Sequence, residues 1–494
     1  MFGANEIDNG AKNPTRHRGD RMQRILKTKR IRAFAAIGVL ATAVVSAPQA
    51  RADNVTDAMI GAYTSSGLLE QNRALLRVAD EGVAATVAKL RPVVTATLGI
   101  ARSYERKGLG ALGASSNHNT GATLRVGMEW LLFDNGATQL DRAAAQETVL
   151  ATRQTLLDVE QQVLFAAVQS YVNVLTQQDI VALRQNNLRL LQEELRAAND
   201  RFEVGEVTRT DVALAESQVA EARANLTDAR GALLTARATY EEVVGRAPGA
   251  VASYPPLPRR AASLSDAQAR ALRSHPSLRA QQHAVKAAQL TADSSLRDMG
   301  PNVKFTAGAS HGEVRGSDGT SDNFDLGLSL NQTLYAGGGL AAARRADLAR
   351  VDAERGSLLS VQRSISSNAA SAYTAFDTAA ASLVSSNERV RAAQVAFDGI
   401  REEATLGSRT TLDVLQAEQE LLDAQTARLS ARANQALAAY QLLQAQGLLT
   451  AENLNLAVER YDPEIYHNQV RSAPAFVTKR GQDLDRVLKA LRKN

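Results

Sequence analysis

The residue types that usually perform catalysis are sparse in this chain and form no recognisable constellation. The 494-residue sequence has no cysteine, which excludes disulfides and thiolate metal sites. Its six histidines are scattered, with no two at the spacing of a metal site. Since no set of nucleophile, general base and metal ligands is visible, we predict a protein that is not an enzyme and that uses no cofactor.

The charged residues with the most informative spacing are Arg409 and Asp413, which lie four positions apart and therefore share one face of a helix. Asp211 occupies the position that corresponds to Asp413 in an earlier copy of the same stretch. Arg409 and Asp413 could simply pair with each other, and Thr208, Thr410 or Asp211 could cap the start of a helix. Any further role depends on the elements that position these side chains.

Those elements occur twice in the sequence. Residues 204–245 align with residues 406–447 at an offset of 202 (406 − 204 = 202), which places Gly205 on Gly407. A repeat over this distance indicates a duplicated fold. The predicted organisation is a first repeat at 53–245, a proline-rich linker at 246–260, a second repeat at 261–447 and a tail without counterpart at 448–494.

Residues 1–52 have the composition of a secretory signal peptide. A basic stretch precedes an apolar run too short to span a bilayer, and a small-x-small motif places cleavage between Ala52 and Asp53. This segment has ten Lys/Arg against three Asp/Glu, a net charge of +7, so the remainder carries 5 − 7 = −2. The mature chain therefore has no excess charge to neutralise phosphates, and we exclude nucleic acid as a partner. The true start could be Met1 or Met22.

Each repeat contains two segments in which apolar and polar residues alternate with a period of two. One face carries the apolar residues of these segments, among them Leu124, Val126, Met128, Trp130, Leu132, Leu326, Leu328 and Leu330. We predict strand pairs at 93–133 and 302–335 with this face towards lipid. The polar sequences at 105–121 and 312–323 predict exposed loops. An ordinary half-buried hairpin is the alternative, but the signal peptide and the long helices favour membrane strands.

Long helices account for the rest of each repeat. A first helix ends just before Pro92 or Pro301, where the proline ring stops helix propagation. After each strand pair, an apolar seam with steps of three and four residues predicts an antiparallel coiled-coil hairpin. The hairpins occupy 137–245 and 340–447 and turn at Gly205 and Gly407.

Four membrane strands cannot close a barrel, and open strand edges are not tolerated in lipid. Several copies must therefore pool their strands, and three copies would supply 4 × 3 = 12, an even number typical of outer-membrane barrels. The predicted fold is mainly α with a membrane β portion. Each protomer has four long helices and four strands, so the trimer would be a 12-strand β-barrel from which the helices continue away from the membrane as a tube.

The sequences FEVGEVTRTDV and TLGSRTTLDVLQAE at the two hairpin turns, together with SHPSLRAQQ in the second repeat, resemble the TolC family of trimeric outer-membrane channels. The resemblance covers about residues 54–453. It implies a homotrimer in Gram-negative outer-membrane lipid, with a 12-strand β-barrel joined to a 12-helix periplasmic α-barrel. We expect the C-terminal tail at 448–494 in the periplasm as well. The resemblance also implies an exit duct for drug efflux or type I secretion that passes small molecules or unfolded polypeptides. The implied partners are a periplasmic adaptor (membrane fusion) protein and an inner-membrane ABC or RND transporter.

The same resemblance implies a gate at the periplasmic tip. Asp413 matches an aspartate that forms a ring in the pore, Arg409 matches an arginine that ties the closed tip together, and Thr210 and Asp211 match its partners. Gln416 stands where the family pattern has a second aspartate ring, which implies a constriction less selective for cations. The implied adaptor-docking residues at the two tips are Val204, Gly205, Leu406 and Gly407.

Two questions stay open at this level. A periplasmic coiled-coil adaptor also carries long helical hairpins, although such proteins usually have one hairpin and no duplicated strand pairs. The cargo, the adaptor and the pump cannot be read from the residues, since one type of duct serves both efflux and secretion.

Overall fold

The computed structural model describes residues 53–108, 114–251, 253–315 and 319–491, and the predicted signal peptide at 1–52 lies outside this part. The helices of the first repeat are α1 (Val55–Ser65), α2 (Gly67–Ala88), α3 (Ala137–Glu203) and α4 (Arg209–Val244). Those of the second repeat and tail are α5 (Leu264–Ser274), α6 (Pro276–Arg297), α7 (Gly339–Thr405), α8 (Thr411–Ala445), α9 (Pro463–Val470) and α10 (Lys479–Leu491). The strands are β1 (Val93–Gly108), β2 (Ala114–Phe133), β3 (Asn302–Arg315) and β4 (Thr320–Asn331).

The expectation of a mainly helical chain with a small β portion is confirmed. Helices α3 and α7 have 67 residues each, so each is about 100 Å long. In one half of their length α3 packs on α2 and α6, and in the other half it packs on α4 and α8. Helix α7 follows the same plan against α6 and α8. Each half is therefore a layer of four helices, with α7 at one end and either α2 or α4 at the other.

The four strands form one antiparallel sheet in the order β1-β2-β3-β4. The ladder is continuous across both repeats, because β2 of the first repeat pairs with β3 of the second. Strands β1 and β4 are the two edges of this sheet.

Three expectations about boundaries were wrong. The polar sequences at 105–121 and 312–323 belong largely to strands, since their backbone groups pair across the ladder whatever the side chains are. Strand β4 ends at Asn331 instead of 335, because its partner strand begins at Asn302, directly after a proline that cannot donate a hydrogen bond. The long hairpin helix α7 begins at Gly339, one residue early.

Each predicted first helix is instead two helices separated by one extended residue. His275 precedes Pro276, whose ring disfavours a helical conformation in the residue before it, and His275 has ψ 123°. In the first repeat Ser66 has ψ 112° and its side chain accepts from the backbone N–H of Leu69, so it caps α2. The bends fold α1 and α5 onto the long helices.

The largest apolar core lies where α1, α3, α4 and α8 meet, around the fully buried Tyr171, Tyr240 and Leu164. The linker and the tail both pack on it, through Tyr254 and Leu449 among others. Neither segment is therefore a loose connection in the described structure.

Asp53, the residue after the predicted cleavage point, is buried and tightly held. Its carboxylate accepts two hydrogen bonds from Arg246 at 3.0 and 2.9 Å and one from the backbone N–H of Gly249 at 2.9 Å. The Tyr171 hydroxyl donates to the Asp53 carbonyl at 3.2 Å. The start of the first repeat is thus joined to the start of the linker.

Among the described helices, none combines the length and the apolar composition that crossing a bilayer would require.

Candidate functional site

The two hairpin tips have the same backbone geometry. Gly205 and Gly407 adopt φ values of +80° and +77°, which suit glycine because it has no Cβ to clash in the left-handed region. The following residues, Glu206 and Ser408, donate backbone hydrogen bonds to the carbonyls of Arg201 and Glu403 at 2.9 and 3.0 Å. Both turns therefore end a long helix with its carbonyls satisfied, and they reverse the chain within a few residues.

The predicted ring aspartate Asp413 and the predicted arginine partner Asp211 both take part in capping boxes. The Asp413 carboxylate accepts from the backbone N–H and the hydroxyl of Thr410 at 3.0 and 2.8 Å, and Thr410 in turn accepts from the Asp413 backbone N–H. Asp211 and Thr208 repeat the arrangement at the start of α4. Within one chain, both aspartates therefore act as helix caps, which is the alternative to a gating role that the sequence left open.

These hydrogen bonds favour the ionised carboxylates. Bonds from the backbone and hydroxyl of Thr410 lower the pKa of Asp413, and bonds from Thr208 lower the pKa of Asp211. Because the pKa values are lowered, the caps stabilise the tips at any pH above the ordinary pKa of a carboxyl group. That stabilisation is lost as the pH falls through the lowered pKa. Both tips therefore keep charged aspartates at neutral pH.

Arg409 pairs with Glu403 across its own turn, and the Nε–Oε2 distance is 2.8 Å. This pair raises the pKa of the Arg409 guanidinium. Among the described residues, no hydrogen bond or ion pair within the chain joins Arg409 to Asp413, Asp211 or Thr210. Within one chain the predicted gate residues therefore lie at the two tips, but they form no bond from one tip to the other.

The remaining predicted tip residues point into solvent. Val204 and Leu406 are 72% and 80% exposed. Thr210 and Gln416 are also exposed. Both tips therefore expose apolar residues beside charged caps. Within the described residues, no group of His, Asp or Glu could hold a metal ion.

A buried carboxyl that is absent from the predicted site residues lies behind the second tip. Glu418 is 3% exposed, and its Oε1 accepts from Asn187 Nδ2 of α3 at 2.7 Å. Its Oε2 is buried without a hydrogen-bond partner. Burial raises the pKa of Glu418 to about 7. The spacing of Val414, Glu418 and Leu421 along one helical stripe could have revealed it, since both flanking residues are core residues.

A salt bridge next to this carboxyl joins the two hairpins. Arg401 of α7 pairs with Glu194 of α3 at 3.1 Å. The Glu194 charge raises the pKa of Glu418 further, and the Arg401 charge opposes this effect. The contact region of the hairpins near the tips is therefore polar and charged as well as apolar.

The strand sheet has two unlike faces. One carries Leu98, Ile100, Phe324, Leu326 and Leu328, each between 63% and 77% exposed. The other carries glycine, threonine and charged residues, including Lys304 and Glu129, whose side chains pair at 2.7 Å. A sheet with one exposed apolar face and one polar face fits a lipid surface on one side and water on the other.

These features define a class of protein, in which an amphipathic β-sheet is joined to long, duplicated helical hairpins. The family model described as outer membrane efflux protein matches residues 62–246 and 268–448. The chain is 35% identical over 439 residues to the outer membrane efflux protein BepC of Brucella suis, which covers 88% of this chain and 94% of BepC.

Solved structures of outer-membrane channels share the fold. The CmeC channel of Campylobacter jejuni superposes with a TM-score of 0.70 at 12% identity, covering 86% of this chain and 90% of CmeC. VceC of Vibrio cholerae gives a TM-score of 0.67 at 17% identity, covering 80% and 96%. At these identities the likeness shows the fold alone.

The chain belongs to the outer membrane efflux protein family, which includes the TolC-like channels, and it is located in the outer membrane with an extension into the periplasm. The family consists of channels instead of enzymes or periplasmic adaptors. The alternative interpretation as an adaptor is therefore not supported.

Proposed function

We propose that three copies of this chain assemble into one exit duct. The observation that carries the proposal is the four-stranded sheet, which has an exposed apolar face and two unpaired edges, β1 and β4. Pairing β1 of one copy with β4 of the next satisfies these edges, and three copies close a 12-strand barrel.

The helical layers support the same assembly. In each half of the long helices one protomer contributes four helices, so three protomers contribute twelve. The end helices α4 and α7 keep exposed apolar residues, among them Leu234, Val384 and Val395, that a neighbouring copy can cover. In the proposed trimer, these twelve helices form a periplasmic tube in line with the barrel.

The duct passes small molecules or unfolded polypeptides from an inner-membrane translocase to the outside, in drug efflux or type I secretion. An adaptor docks on the exposed apolar tip residues Val204 and Leu406, next to Gly205 and Gly407. An ABC or RND transporter supplies the cargo through that adaptor. The name of BepC refers to efflux, which supports an efflux role for this chain.

We also propose that the tips form the gate. Three Asp413 carboxylates around one axis would repel one another and would concentrate cations at the entrance. Arg409 is half exposed and contacts Glu403 through Nε, so its other guanidinium nitrogens can reach Thr210 and Asp211 of a neighbouring hairpin in the trimer. Gln416, one helical turn after Asp413, carries no charge and leaves a single acidic ring.

Two measurements test the duct. Membranes that contain the protein are extracted, and the migration of the unheated sample is compared with that of the boiled sample on a gel. We expect a trimer that dissociates on heating, and ohmic single channels after reconstitution into planar bilayers. A monomer without channel activity would contradict the proposal.

A further inference from the structure

Above the apolar belt of the sheet lies a row of cationic side chains on the lipid-facing side. Arg102 of β1 is the register partner of Thr120 of β2, and Thr120 is the partner of Arg315 of β3. Register partners share one face of a sheet, and alternate residues return to it. Arg102 therefore lies on the face of Leu98 and Ile100, and Arg315 lies on the face of Phe305.

The spacing of the two arginines suits a single anionic group. Adjacent strands lie about 4.8 Å apart, so the Cα atoms of Arg102 and Arg315 are about 10 Å apart across β2. The residue between them, Thr120, is small and half-buried, and both arginines are exposed. Two guanidinium groups can therefore converge over Thr120, and its hydroxyl can donate a third hydrogen bond.

The two acidic residues of the same face near the arginines, Asp322 and Glu313, both contact His311. His311 contacts Asp322 at 2.6 Å and Glu313 at 3.7 Å, one or two register rows closer to the belt. A further cation, Arg106, is exposed on the same face beyond Arg102. Tyr104 packs on His118 at 4.7 Å between ring centroids, and tyrosine is enriched where membrane proteins meet the lipid headgroups.

The row lies at the end of the sheet that is farthest from the helices. Strand β1 starts, and strands β2 and β4 end, close to helices, whereas Gly108 and Arg315 are at the opposite ends of their strands. Because the helices extend into the periplasm, the arginine row faces the outer leaflet. This orientation depends on the proposed barrel.

We propose that Arg102, Thr120 and Arg315 form a binding site for the phosphate of a phosphorylated lipid headgroup in the outer leaflet. Planar guanidinium groups bind phosphate oxygens in pairs, and a surface next to lipid brings such headgroups to the correct height. The site would tie three equivalent positions of the trimer to the surrounding lipid.

The test uses the full mature protein in phosphatidylcholine nanodiscs, with or without a glucosamine-disaccharide lipid that carries two phosphates. Binding of this lipid is measured for the wild type, for R102Q/R315Q and for R125Q. Arg125 is the matched control, since it lies on β2 but on the opposite face. We expect about tenfold weaker binding for R102Q/R315Q and unchanged binding for R125Q.

Equal binding by R102Q/R315Q and the wild type would overturn the site, as would an equal loss in R125Q. The dephosphorylated lipid should bind weakly to all three proteins, and inorganic phosphate should not compete. Full competition by inorganic phosphate would show a site for a free anion and would overturn the assignment to lipid. If R102Q/R315Q does not form a trimer, R102K/R315K replaces it. R102K/R315K should bind the phosphorylated lipid more weakly than the wild type and R125Q do, but more strongly than any of the proteins binds the dephosphorylated lipid.

Channel conductance of each protein is recorded in parallel. If R102Q/R315Q has normal conductance and binds the lipid as the wild type does, only the lipid site is overturned. If the wild-type protein forms no channels, the proposed duct itself is contradicted.

Discussion

At the scale of single residues, the second hairpin tip combines a surface ion pair with a buried carboxyl. Arg409 and Glu403 hold the turn from outside, and Glu418 lies behind it between α3 and α8. The first repeat has Glu216 at the position of Glu418, and Glu216 is exposed. The two copies of the tip therefore differ in the place where the hairpins contact each other.

The Glu418→Gln substitution should remove a pH dependence of stability. The pKa of Glu418 is raised to about 7 from 4.5, so its contribution is fully present below the unfolded pKa and is lost as the pH rises towards 7. The difference corresponds to about 3 kcal/mol. Thermal unfolding should show a wild type that loses stability between pH 5 and pH 8, and an E418Q protein that loses less. Parallel pH curves would exclude this role.

Replacing Arg409 and Asp211 together should make the pore leakier. The variant R409A/D211N keeps an oxygen that can accept from Thr208 and so preserves the cap of α4, while it removes both charges. We expect conductance in planar bilayers to rise several-fold. E403Q is the matched control, because it breaks only the pair inside one turn. Unchanged conductance in the double variant, or an equal rise in E403Q, would contradict a gate that links the two hairpins.

At the scale of elements, glycines at helix ends serve two different purposes. Gly407 at the tip has φ +77°, and a Cβ there would meet nothing within 4 Å. Gly447 after α8 has φ +73°, and a Cβ there would lie 2.6 Å from the Cα of His275. The first glycine only permits a turn, while the second also permits α8 to pack against the joint between α5 and α6.

The substitutions G407A and G447A separate these two purposes. Both place an alanine in the left-handed region, which costs about 1–2 kcal/mol. G447A should cost clearly more, because the backbone at His275 and the carbonyl of Ser274, 2.9 Å from the added atom, must move. Thermal unfolding of both variants measures the difference. Equal losses would mean that the α5–α6 joint yields easily.

The tail also acts as an element with its own contacts. His467 of α9 pairs with the fully buried Asp80 of α2 at 2.8 Å, and Arg153 of α3 pairs with Glu464. Tyr466 donates to Glu81 at 2.7 Å. The tail thus packs on α2 through α9, whereas α6, the counterpart of α2 in the second repeat, packs on α3 and α7.

At the scale of the whole molecule, one chain leaves both edges of its sheet and both ends of its helical layers open. These open edges are what the proposed trimer would close. Since the sequence has no cysteine, introduced thiols can report the assembly without background.

Three variants each carry a cysteine in place of Thr97 on β1 and a second cysteine on β4, in place of Asp325, Gly327 or Ser329. We expect at least one of these variants to form disulfide-linked dimers and trimers. Within one chain the two strands are separated by β2 and β3, about 14 Å, which is too far for a disulfide. Non-reducing gels of oxidised membranes measure the products. The matched control places the pair at the adjacent positions Gly127 and Gly308, which should give only links within the chain. Exclusive monomers in every β1–β4 pair would contradict the barrel.

The sequence by itself determined the duplication, the alternating strands, the position of both hairpin turns and the outer-membrane class. These features depend on local periodicity and on the positions of glycine and proline, which are present in the order of the residues. Only the tertiary structure decided that Arg409 contacts Glu403, that Glu418 is buried against Asn187, and that the tail is docked on Asp80. Asn187 and Glu418 are 231 positions apart, and Asp80 and His467 are 387 apart. Such contacts arise because packed helices bring distant faces together, and no local pattern specifies which faces meet.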